Sequence, residues 1–227
     1  MYRSSPPAFN IGRMTGWILA ATALVHGVRL LAPAEWGERL FVYGAFSTEV
    51  WEWIVSLPLT LETLPLFATP VSHALLHLDA MHLMVNMGFL LAFGTVTERR
   101  LGGARFLAFY ALGALAGAFG VSLSYLVTQQ PIVVVGASGA VSALLGAWVR
   151  FDLGRRRAAP GRLPPALVGL AAFIGLNIFT GLAFGIAGDV QIAWEAHLGG
   201  LLFGFFVFPL FDRGYSAIPP QSEDPNS

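Results

Sequence analysis

The sequence contains no cysteine, which excludes disulfides, thiolate metal ligands and cysteine nucleophiles together. It also has no lysine, so every basic side chain is an arginine. Charged residues make up only 11% of the chain, whereas a soluble domain of this size carries about a quarter. The 13 basic and 13 acidic residues balance, and this balance gives no support for binding to nucleic acid.

Apolar residues dominate instead: 56% of the 227 residues are hydrophobic and the mean hydropathy is +0.67. Six apolar stretches lie at about 14–31, 73–97, 106–127, 133–149, 165–186 and 192–211. Because they lack the alternation of a membrane barrel, we expect helices. The sequence predicts an all-α polytopic membrane protein, a bundle of six transmembrane helices. It forms one domain over residues 1–215, with a disordered tail over 216–227.

The segment between the first two stretches, at about 33–70, contains several tryptophans, prolines and glutamates. It is too apolar for a solvated loop and too interrupted for a span. Such a composition favours a loop lying in the headgroup region of the membrane. A packed cap outside the membrane is the alternative interpretation.

The arginines are distributed unevenly along the chain. If the chain crosses the membrane six times, all of them except Arg29 and Arg39 fall on one side. Positively charged loops remain in the cytoplasm. Both termini are therefore predicted to be cytoplasmic.

Polar residues inside an apolar stretch are costly and are candidates for function. The second stretch carries His73, His77, His82 and Asn86. On a helix, His82 and Asn86 share one face, and His73 and His77 form a similar pair. A metal site, hydrogen bonds between helices and catalysis are the three interpretations. No HExxH pattern or carboxylate-rich cluster accompanies the histidines.

The fourth stretch includes the run GASGAVSALLG, which contains Gly136, Ser138 and Gly139. A helix that begins there has unpaired N–H groups and a dipole that favour a developing negative charge. The glycines allow close approach of the backbone. Taken alone, this run indicates close helix packing as readily as an active site.

The sixth stretch contains AHLGGLLFG, with His197 near its start and a GxxxG pair formed by Gly200 and Gly204. A GxxxG pair permits tight contact with another helix that carries small residues. The run around Ser138 offers such residues. We therefore expect the fourth and sixth helices to pack closely enough for Ser138 and His197 to meet.

These residues predict serine-nucleophile chemistry. An imidazole can take the proton of a serine hydroxyl near neutral pH. The Ser138 backbone N–H, His82 and Asn86 are the candidate oxyanion donors. Glu195 lies two residues from His197 and so points to another helix face, which predicts a dyad without an acidic third member. No metal or cofactor is expected.

Together, the HxxxHxxxxHxxxN run, GxSG and AHxxGxxxG resemble the rhomboid intramembrane serine proteases. The resemblance covers the second to sixth stretches. It implies that Ser138 and His197 form the catalytic dyad, that His82 and Asn86 contribute to the oxyanion site, and that Gly200 and Gly204 seat the sixth helix against the fourth. It also implies a multi-pass protein of a bacterial inner membrane, with a cavity open to the outer side.

The sequence departs from this family at two places. Many bacterial relatives carry a Trp-Arg pair shortly before the second span, where this chain has Ala68 and Thr69. Many also carry a tyrosine four residues after the nucleophile, stacked on the catalytic histidine, where this chain has Ser142. The bracing of the first loop and the support of the His197 ring must therefore come from other residues.

The resulting hypothesis is an endopeptidase that cleaves peptide bonds in or near transmembrane segments of membrane-protein substrates. The fifth stretch, with Phe173, Asn177 and Phe179, is expected to move laterally to admit the substrate. One alternative is an inactive relative that binds membrane clients, although such proteins lose the serine or the histidine. A transporter or proton relay is another, but the sequence lacks the inverted repeats that this would require.

Overall fold

A computed structural model of the chain describes residues 11–155, 163–165, 167–175 and 193–213. Asn177, Phe179 and the tail at 216–227 lie outside these residues. The helices are α1 (Arg13–Leu31), α2 (Ala34–Gly44), α3 (Thr48–Ile54), α4 (Leu64–Phe67), α5 (Thr69–Ser72), α6 (Ala80–Phe89), α7 (Thr95–Leu101), α8 (Gly103–Thr128), α9 (Ser138–Arg155), α10 (167–175) and α11 (Trp194–Phe211). Two short strands are β1 (Phe46–Ser47) and β2 (Val133–Val134).

Four helices in the described part of the chain are long and apolar enough to cross a membrane: α1, α8, α11 and a continuous helix over Ala80–Leu101. That continuous helix consists of α6, a π-helical segment (Leu90–Gly94) and α7. Large apolar side chains such as Leu24, Phe119 and Phe206 are exposed on these helices. Because such faces need lipid as solvent, the chain is an integral membrane protein of the all-α class. The number of six spans stays a prediction.

The second membrane helix begins at Ala80, not at residue 73 as the sequence pattern predicted. Asp79 ends the preceding extended segment, and its carboxylate accepts a hydrogen bond from the His82 N–H at 2.8 Å. This is an N-cap, which starts a helix by satisfying one of its unpaired N–H groups. His73 instead lies in a 3₁₀ turn (His73–Leu75), so His73 and His77 do not form a pair on one α-helix.

The fourth helix also begins later than predicted, at Ser138 rather than residue 133. The valines before it form β2, which pairs antiparallel with β1 of the first loop, Phe46 opposite Val134. The Phe46 side chain is buried. The 33–70 segment thus contains short helices and a strand that joins it to the chain just before Ser138. Its position in the membrane interface stays a prediction.

The centre of the bundle is formed by α8, α9 and α11, which approach one another at glycines. A side-chain carbon on Gly200 would overlap the carbonyl oxygen of Gly139, and one on Gly204 would overlap that of Ala143. On α8, Gly117 lies against both Gly139 and Ala196. Because glycine has no side chain, helix backbones can touch at these positions. In lipid no hydrophobic effect drives helices together, so the dispersion contacts of this close packing stabilise the bundle.

A buried glutamate ties the first membrane helix to the second at the end of the bundle opposite Ser138. The Glu98 carboxylate on α7 accepts hydrogen bonds from the Met14 N–H at 2.9 Å, the Thr15 N–H at 2.8 Å and the Thr15 hydroxyl at 2.8 Å. The N-terminus of α1 has unpaired N–H groups and a partial positive charge. Glu98 satisfies two of these groups, although it is distant in sequence.

We expect Glu98→Gln to destabilise the protein by about 2 kcal/mol. The glutamine side chain is uncharged and keeps only one acceptor oxygen, and its NH₂ group would face the hydrogen-bond donors of Met14 and Thr15. The thermal unfolding midpoint in detergent measures the loss. The matched control is Glu62→Gln, at an exposed position in the first loop. Equal midpoints for the two variants would contradict the structural role of Glu98.

Candidate active site

The turn before Ser138 is shaped by Gly136 and by the two histidines that precede α6. Gly136 has φ +115°, a conformation that side chains disfavour, and a side-chain carbon there would lie 2.7 Å from the His82 ring. Its N–H donates to the carbonyl oxygen of His73 at 2.9 Å. The next N–H, of Ala137, donates to Nε2 of His77 at 3.4 Å. His73 and His77 therefore hold the turn that presents Ser138.

Ser138 is the first residue of α9 and is half-buried. Its position at the start of an 18-residue helix places unpaired N–H groups beside its side chain. Ser142, one turn later, donates its hydroxyl to the Ser138 carbonyl oxygen at 2.7 Å. The side chain that replaces the tyrosine of many relatives is therefore directed along its own helix.

His197 lies in the first turn of α11, half-buried, beside the start of α9. Its neighbour Ala196 faces Gly139, the neighbour of Ser138: a side-chain carbon on Gly139 would lie 3.6 Å from the Ala196 carbonyl oxygen. The contact of Gly200 with Gly139 holds the two helices at this level. The backbones of Gly139 and Gly200, one residue after Ser138 and three residues after His197, are thus in close contact.

His82 and Asn86 lie one turn apart on α6, as the spacing predicted. The His82 ring rests against Gly136, and its centroid lies 5.0 Å from that of the His77 ring. The Asn86 amide is buried and donates to the His82 backbone carbonyl oxygen at 2.9 Å. His82 therefore lies beside the turn that precedes Ser138.

The segment that leads into α6 is braced by Arg29, whose role sequence reasoning missed. Its guanidinium donates to the carbonyl oxygens of His77 and Leu78, at 2.7 Å for Leu78. The only signal in the sequence was an arginine at the end of the first apolar stretch, away from the other arginines. Thr69, at the place of the arginine of relatives, bonds locally to the Leu66 carbonyl oxygen at 2.7 Å.

Glu195 accepts a hydrogen bond from the Ser124 hydroxyl at 3.1 Å and so contacts α8. This agrees with its expected position on another helix face from His197. Within the part of the chain that the structure describes, no group of three or more His, Cys, Asp or Glu residues is arranged to hold a metal ion.

A family model for the rhomboid domain matches residues 67–213, well over half of the chain. The chain belongs to the rhomboid family. It is 33% identical over 139 residues to YdcA of Bacillus subtilis strain 168, a protein that carries a rhomboid-protease name. It is 34% identical over 138 residues to the rhomboid protease GlpG of Yersinia pestis, and 34% identical over 132 residues to RHOMBOID-like protein 5 of Arabidopsis thaliana.

These alignments cover 61%, 60% and 58% of this chain. They cover 63%, 45% and 40% of YdcA, GlpG and RHOMBOID-like protein 5. The chain thus spans less than two thirds of the length of each relative. The matched region includes Ser138, His197, His82 and Asn86.

Proposed function

We propose that the protein is an intramembrane serine endopeptidase with Ser138 as nucleophile and His197 as general base. The observation that carries this proposal is the close approach of Gly200 to Gly139, which brings α11 against α9 near the two side chains. Membership of the rhomboid family and the protease names of YdcA and GlpG support it.

In the proposed reaction, His197 takes the proton of the Ser138 hydroxyl while Oγ attacks the carbonyl carbon of the scissile peptide bond. The resulting oxyanion accepts hydrogen bonds from the Ser138 N–H, His82 and Asn86. His197 then gives its proton to the leaving amine, and the C–N bond breaks. Water, deprotonated by His197, attacks the acyl carbon; the C–Oγ bond then breaks, His197 returns the proton to the Ser138 Oγ, and the new carboxyl group is released.

The substrates are proposed to be membrane proteins that are cut within or beside a transmembrane segment. A helix hides its peptide carbonyls in intrahelical hydrogen bonds, so the substrate must unwind locally at the cut. We further propose a location in a bacterial inner membrane, with both termini in the cytoplasm and the site open to the outer side. The arginine asymmetry supports this orientation.

The test is covalent labelling of purified protein with a fluorophosphonate, beside cleavage of a model transmembrane substrate in liposomes. Wild type is expected to be labelled at Ser138 and to cleave, and Ser138→Ala to do neither. Ser142→Ala, which removes a hydroxyl one turn away on the same helix, is expected to retain both activities. Cleavage that persists in Ser138→Ala would refute the proposal. Failure of the wild type to label or cleave would favour a client-binding relative.

A further inference from the structure

The His197 ring contacts the ring of Phe173, which lies on α10. The two ring centroids are 6.0 Å apart and the planes meet at 63°, an edge-to-face arrangement. Aromatic pairs prefer this geometry at 4.5–7 Å, and it contributes about 0.5–1.5 kcal/mol beyond buried area. Phe173 therefore restricts the rotation of the imidazole ring.

Phe173 is itself held firmly. It is only 7% exposed, and it packs in one buried cluster with Leu145 and Val149 of α9. Its ring also meets Phe89 of the second membrane helix edge-on, at 5.7 Å and 87°. A side chain fixed from α9 and from the second membrane helix provides a rigid surface for a third contact.

The His197 ring needs such a surface. Its Nδ1 atom is buried, and within the described residues no hydrogen-bond acceptor contacts it. Ser142, at the position where many relatives stack a tyrosine on this ring, bonds along its own helix. A general base works only when its nitrogen is held within hydrogen-bond reach of the proton that it takes.

On the basis of the proposed function, we propose that Phe173 is the positioning residue that holds the His197 imidazole in the orientation required to take the Ser138 proton. It acts through ring contact and touches neither substrate nor the reacting atoms. Because Phe173 also contacts Phe89, the orientation of the base depends on the packing of α10 against the second membrane helix.

The test uses Phe173→Leu and Phe173→Tyr, with Phe93→Leu as the matched control. Phe93 stacks on Phe89 at 6.0 Å and contacts Trp148 at 5.4 Å, so its replacement disturbs the same aromatic cluster away from His197. Three quantities are measured: the rate of fluorophosphonate labelling, kcat and KM for a transmembrane substrate, and the thermal midpoint. The small probe reports on the base without requiring a helix to enter between α10 and α6.

Phe173→Leu is expected to lower both kcat and the labelling rate by roughly tenfold, with KM within about twofold, because small misplacement of a reacting group has large kinetic effects. Phe173→Tyr keeps the ring and is expected to stay within about threefold of wild type in both rates. In Phe93→Leu, the thermal unfolding midpoint is expected to fall by about as much as in Phe173→Leu. The labelling rate of Phe93→Leu is expected to stay at the wild-type value. If Phe173→Leu does not fold, Phe173→Met, which fills the space with a flexible chain, takes its place.

A wild-type labelling rate in Phe173→Leu, or in Phe173→Met where that variant takes its place, would overturn the inference. So would faster cleavage of the transmembrane substrate with unchanged labelling, since that pattern assigns Phe173 to substrate entry. An equal loss in Phe93→Leu would assign the effect to general packing and overturn it as well. These outcomes are separate from failure of the proposed function, in which wild type is not labelled or Ser138→Ala still cleaves.

Discussion

Replacement of His197 by alanine is expected to reduce cleavage of a transmembrane substrate by roughly 10⁶-fold, as loss of the histidine base does in a serine protease. Without the imidazole, the Ser138 hydroxyl keeps its proton and is a poor nucleophile, whereas the oxyanion donors remain. The expected signature is a fall in kcat with little change in KM. Single-turnover cleavage in liposomes measures the effect.

Two further variants sharpen this prediction. His197→Ala combined with Ser138→Ala should be no slower than either single change, because residues that act as one unit are not additive. Trp194→Ala, at an exposed position in the same turn of α11, is the control and should cleave at the wild-type rate. Additive losses in the double variant would contradict a dyad in which the two side chains act together.

The second large effect is expected from Gly200→Val. A side chain at this position overlaps the Gly139 backbone, which cannot rotate away as a flexible side chain can. The clash must separate α11 from α9 and hence His197 from Ser138. Overpacking of a helix contact costs about 1–3 kcal/mol or more. We therefore expect a thermal midpoint lowered by several degrees and activity lowered by more than about tenfold.

Gly27→Ala provides the comparison, since a side-chain carbon at this helical glycine meets nothing within 4 Å. Alanine there should be neutral or stabilise by up to about 1 kcal/mol, because it reduces the entropy of the unfolded chain. Midpoints and rates measured on Gly200→Ala, Gly200→Val and Gly27→Ala form one series. A Gly200→Val protein as stable and active as Gly27→Ala would contradict close contact between α9 and α11.

The first and last apolar stretches were predictable nearly to the residue. The first was placed at 14–31 and α1 is Arg13–Leu31, and the last was placed at 192–211 and α11 is Trp194–Phe211. The reason is that a span in lipid needs an uninterrupted apolar run, so composition alone marks it. Shorter apolar runs do not separate helix from strand or 3₁₀ turn. For that reason, His73 and Val133 were assigned to helices that begin later.

Composition and motif spacing were enough to predict a helical membrane protein and to identify the polar residues that are candidates for function. Ser138, His197, His82 and Asn86 were identified because polar groups are expensive in lipid and their spacing follows a family pattern. The pairing of GxSG with a GxxxG helix also predicted that the fourth and sixth helices meet. These features depend on residues that are close in sequence or on the solvent that a segment requires.

The residues that support the candidate active site could be identified only from the tertiary structure. Arg29 binds carbonyl groups 48 and 49 residues away, and Phe173 meets His197 from a separate helix. Neither residue has a local pattern, because an arginine at a helix end and a phenylalanine in an apolar run are ordinary features of a membrane helix. Their roles arise from the angles at which helices pack, and side-chain shape across many contacts sets those angles.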